Sequence, residues 1–130
     1  MSSGWRTLAD EWLSLASQDL ALARLAFPEK SISDQAFGFH VQQTIEKSLK
    51  AVIATQSNLP PPTHDLVRLI ERSGQEHPFD IDALDELSPY ASATRQPGLP
   101  SPPRHLDRQQ ALRRALEVWL WAEQLVAHTD

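Results

Sequence analysis

Apolar positions recur at helical spacing through most of the chain, and no segment alternates convincingly at the two-residue period of a strand. From residue 5 to 27, Trp5, Leu8, Trp12, Leu15, Leu22 and Ala26 form one stripe. Ala9, Leu13, Ala16, Leu20, Ala23 and Phe27 form a second stripe beside it. Two adjacent stripes predict a helix packed inside a bundle, ended by Pro28. Asp19 intrudes between Leu15 and Leu22, so its carboxylate must be paired, solvated or protonated.

A second helix is predicted over roughly 34–56, with Ser33 as its cap and Asp34 at its positive end. Pro60, Pro61 and Pro62 then force an extended connector. Thr63 is the expected cap of a short third helix, HDLVRLIERS, which buries Leu66, Leu69 and Ile70 and closes at Gly74. Asp80 or Asp82 opens a fourth, IDALDELSPYASAT, with a kink or break expected at Pro89. Residues 96–104 carry Pro97, Pro100, Pro102 and Pro103 and read as a loop. The last helix is expected over about 105–127, burying Leu112, Leu116, Trp119 and Val126. The fold class that follows is all-α: an antiparallel up-and-down bundle of four to five helices, one domain over residues 1–130.

Composition narrows the function. The net charge is −5 and the pI about 5.5, which argues against a broad nucleic-acid-coating surface but leaves room for a local basic patch. Cysteine is absent, so disulfides and thiolate metal sites are excluded. No secretory signal and no membrane span is legible, and a cytoplasmic protein is expected.

The second helix holds the candidate chemistry. In FGFHVQQTIEKSLKA, residues 37–51, one arc carries Phe37, Val41, Ile45, Leu49 and Val52. The other carries His40, Gln43, Glu46, Lys47 and Lys50, with Phe39 among them. An aromatic beside lysines, a histidine and an amide suits a ring stacked on a base while cations hold phosphate. The plainer reading is a solvated face, and Glu46 with Lys50 is also an ordinary helix-stabilising pair. If the first two helices are antiparallel, Asp19 pairs with Lys47 or Lys50, and the other lysine faces solvent or ligand. No two histidines stand at i,i+4, and no metal or cofactor is expected.

The stretch FHVQQTIEKSLKA resembles the FHxQQxxEKxLKA signature of HEPN domains (higher eukaryotes and prokaryotes nucleotide-binding). ASQDLALA resembles the family's A-x-x-D-L-x-x-A, PPTHDLVRLI its P-x-T-H-D-L element, and LSPYASATRQPG its L-x-x-Y-x-x-x-x-R-Y-P segment. Gln96 departs from the pattern, standing where the family has an aromatic. The resemblance implies a compact helical bundle, commonly a homodimer, that often accompanies a minimal nucleotidyltransferase. It also brings Tyr90 and Arg95 to the candidate site. Lys47, Lys50 and Arg95 would meet phosphate, His40, Gln43 and Tyr90 would supply hydrogen bonds or ring contact, and Glu46 would orient a lysine.

Many HEPN proteins are metal-independent ribonucleases that use an arginine and a histidine four to six residues apart. Arg72 and His77 match that spacing, yet Gly74 and Pro78 suggest that they leave a helix rather than share one. The expected function is therefore a non-catalytic nucleotide- or RNA-binding partner of a nucleotidyltransferase. A ribonuclease toxin neutralised by such a partner is the alternative, and a structural dimerisation module using Trp5, Trp119 or Trp121 is the third reading.

Overall fold

A computed structural model describes residues 2–92 and 105–129. Helix α1 spans Ser3–Ala26, α2 Asp34–Ala54, α3 Leu66–Ser73, α4 Ile81–Asp85 and α5 Arg108–Ala127, with a 3-10 turn at Ser88–Tyr90. No strand occurs among the described residues, so the all-α bundle stands.

Helix α2 is the axis, lying against α1, α3, α5 and the 3-10 turn. Its apolar arc, Phe37, Val41, Ile45, Leu49 and Ile53, is wholly buried and meets Leu20 and Ala23 of α1, Leu66 and Leu69 of α3, and Ala115 and Val118 of α5. At the far end Ala9, Ala51, Ala54 and Val126 form a smaller cluster. The start of α1 therefore meets the ends of α2 and α5, and α1 runs antiparallel to both. Arg108 ties the opposite end. Its Nε donates to Asp34 Oδ1 at 2.8 Å, and its terminal nitrogens donate to the carbonyls of Ala26, Phe27, Glu29 and Ile32. One guanidinium thus serves the orphan carbonyls at the end of α1 and spans the turn into α2.

Ser33 caps α2 and Gly74 closes α3 in the left-handed region, both as expected. Other boundaries differ. Asp65, not Thr63, caps α3 by accepting from the amides of Val67 and Arg68. Asp107 caps α5, which starts three residues after His105. Helix α4 stops at Asp85 because Pro89 lacks the N–H that would bond the Asp85 carbonyl, four residues back.

The expected burial of α1 also needs correction. Leu15 and Leu22 are 43% and 46% exposed, as is most of Leu25. Two neighbouring helices cover only the Ala9–Ala16–Leu20–Ala23 side of α1. Trp5, Trp119 and Trp121 are each partly buried, and Trp119 Nε1 donates to the Leu13 carbonyl at 3.3 Å.

Candidate functional site

Two carboxylates organise the polar residues of α2. Asp19, the intruder in the α1 stripe, faces α2 across the antiparallel seam. Lys47 Nζ donates to its Oδ2 at 2.6 Å, and His40 Nδ1 lies 2.9 Å from its Oδ1. Asp19 itself is buried, while the Lys47 and His40 side chains keep 22% and 28% of their surface. The Phe39 ring stands edge-on to His40 with centroids 5.2 Å apart.

Glu46 is the second centre. Lys50 Nζ donates to its Oε2 at 3.1 Å, and His64 Nδ1 lies 2.7 Å from its Oε1. Gln42 and Gln43 donate to the same Oε1 at 3.1 and 3.3 Å. Gln42 also donates to the His64 carbonyl at 3.1 Å, which pins the connector before α3 onto α2. Burial pushes the Glu46 carboxyl up, but hydrogen bonds from His64 and Gln42 and the charge of Lys50 outweigh it and hold the group below its ordinary value. The carboxylate is ionised, so the His64 Nδ1 carries the proton it shares with Glu46.

The polar arc is thus far less open than a ligand strip requires. Gln43, Glu46 and Lys50 are all buried. Lys50 lies over the Trp12 ring, 5.2 Å from its centroid, so the lysine not taken by Asp19 faces an indole and Glu46 rather than solvent. The connector of 56–65 runs back along α2 and roofs this side; α3 begins beside Glu46 and ends where Gln56 Nε2 donates to the Ser73 carbonyl.

Residues 9–125 match the profile of the HEPN domain family. The chain belongs to the HEPN domain family. No curated protein and no solved structure gives a match.

Within this HEPN domain, Tyr90 is buried against α2 at Gly38, where an added Cβ would stand 2.4 Å from the tyrosine ring. Gly38 and Lys47 lie about half a turn apart around the helix, so Tyr90 does not join His40 and Lys47. Burial and the nearby Asp34 charge push its hydroxyl pKa up. Arg95 and Gln96 lie outside the described residues.

Arg72 sits exposed in the last turn of α3, before the left-handed Gly74. His77 lies past that turn and stacks on Phe79 at 5.6 Å, its Nδ1 accepting from the Phe79 amide at 3.2 Å. The two share no helix.

Among the described residues no three histidines or acids group as metal ligands, and no helix is long and apolar enough to cross a membrane. The Asp19 pairing was readable, because a carboxylate inside an apolar stripe demands a cation. Gln42 and His64 were missed as partners of Glu46, although the QQ and THD runs that hold them were in view.

Proposed function

We propose that this HEPN domain binds a nucleotide or an RNA strand without cleaving it, and works beside a minimal nucleotidyltransferase. The observation that carries the reading is the half-open Asp19–His40–Lys47 seam beside the partly exposed Phe39. An ammonium has three donors, and Asp19 takes one of Lys47's, leaving donors for a phosphate oxygen. Phe39 offers a ring on which a base can stack. Glu46 and Gln42 hold the connector before α3 onto α2 through His64, and Lys50 fills the space between Glu46 and Trp12 of α1.

Equilibrium binding of ATP and of a short RNA tests this, alone and with the partner present. Lys47→Met and Phe39→Ala are expected to weaken binding about tenfold or more, and Lys50→Met to leave it nearly unchanged. Equal losses from the two lysine variants, or no binding under any condition, would overturn the reading.

One observation favours a second reading, a ribonuclease toxin. His64 is oriented by a buried carboxylate while 67% of its side chain stays exposed, an arrangement that leaves Nε2 free for proton transfer. RNA cleavage and growth arrest abolished by His64→Ala, and untouched by His77→Ala, would support it.

A further inference from the structure

A groove of about 600 Å³ lies between the α3–α4 connector and the second half of α5, away from the Asp19 seam. Phe79, Leu84 and Trp121 line it, and Leu120 at its wall is 43% exposed. Phe79 meets Trp121 edge-on at 5.2 Å and stacks with His77 at 5.6 Å, so two ring contacts hold it in place. A second groove, about 510 Å³, shares Arg114 with the first.

The charge of these grooves is one-sided. Asp80 and Glu117 line the first, Glu86 and Asp107 the second, against Arg114 and the imidazole of His105. Arg114 bonds the amide oxygen of Gln110 at 3.1 Å rather than an acid. Asp80 and Asp107 cap helices, while Glu86 and Glu117 form no ion pair among the described residues. Asp80 and Glu117 beside the aromatic wall, with Glu86 and Asp107 in the adjoining groove, outnumber Arg114, so this face repels a phosphate backbone and attracts cations. Aromatic side chains at the centre of a polar rim are also where protein contacts concentrate their energy.

We propose that this face docks a cationic amphipathic segment of a partner protein, with a bulky apolar side chain on Phe79 and Trp121 and lysines or arginines against Glu117 and Asp80. The site is independent of the nucleotide reading. Specificity comes from the pairing of an apolar anchor with flanking positive charge; an apolar peptide alone leaves Glu117 and Asp80 facing nothing, and a polycation alone leaves the aromatic wall wet.

The probe is a fluorescein-labelled helical peptide of about twelve residues, with Leu and Trp at i,i+4 positions and Lys elsewhere, read by fluorescence anisotropy on the whole chain. Saturable binding is expected at about 50 mM salt, weakened roughly tenfold or more at about 500 mM. Glu117→Lys and Leu120→Asp, both at exposed positions, are each expected to weaken it by a similar factor. Glu123→Lys, exposed on α5 but lining neither groove, and Lys47→Met are expected to leave it unchanged. Circular dichroism checks that each variant keeps its helices. Equal binding of the same peptide with Glu for Lys, equal losses from Glu117→Lys and Glu123→Lys, or displacement of the peptide by a short oligouridine would overturn the proposal.

Discussion

Asp19 and Glu46 each hold one lysine and one histidine, yet one cluster is half open and the other closed. Asp19 reaches across from α1, and its partners Lys47 and His40 lie at the rim of the α1–α2 seam, where water still reaches them. Glu46 belongs to α2 itself. Its partners come from the same helix and from the connector laid over it, and Lys50 is sealed beneath Trp12. The same residue types thus become a candidate ligand edge on one side of α2 and a structural latch on the other. What separates them is the covering element rather than the chemistry of the strip.

The largest test of that contrast removes each carboxylate. Glu46→Ala leaves a buried ammonium without a counter-ion and two buried amides short of an acceptor, and is expected to cost about 3–5 kcal/mol. Asp19→Ala frees Lys47 and His40 to turn to water, so a smaller loss of about 1–3 kcal/mol is expected. Urea unfolding of both variants checks the order. A larger loss from Asp19→Ala would mean that the seam, not the latch, carries the burden.

Removing the lysines instead should keep the ranking. Lys47→Met leaves the buried Asp19 with His40 alone, at an expected cost of about 1–2 kcal/mol. Lys50→Met breaks the more buried pair and leaves Glu46 with His64 and two amide donors, so about 3 kcal/mol is expected there. If Lys47→Met proves the costlier change, the amide shell matters more to Glu46 than the ammonium over the indole does.

Much of the frame was legible in the residues, and the reasons for the misses are physical. Ser33, Gly74 and the buried arc of α2 follow from local chemistry, and the structure agrees with them. Asp19 announced its partner because burying a lone carboxylate is too costly. The cap of α3 was misplaced because Thr63 and Asp65 both offer an acceptor, and the path of the connector decides between them. Leu15 and Leu22 looked buried because periodicity reports which residues share a face, not whether a neighbour covers it. Arg108 and His64 act across 74 and 18 residues of chain, and no local pattern announces contacts of that kind.

The smallest expected effect lies in acid. Glu46 is held below its ordinary value in the folded state, so the folded chain binds a proton there less readily than the unfolded chain does. The stability this carboxylate contributes is complete above the unfolded value of about 4.5, and is lost as the pH falls through the lower folded value. Glu46→Gln keeps the shape and removes that titration. The stability gap between the parent chain and Glu46→Gln should therefore be steady near neutral pH and narrow below about pH 4.5, where the parent begins to lose what the variant already lacks. Urea midpoints for the two chains across that range measure the gap. A gap that stays constant into acid would mean that the donors around Glu46 hold the carboxyl without favouring its charge, and the latch would then be a matter of packing rather than of ionisation.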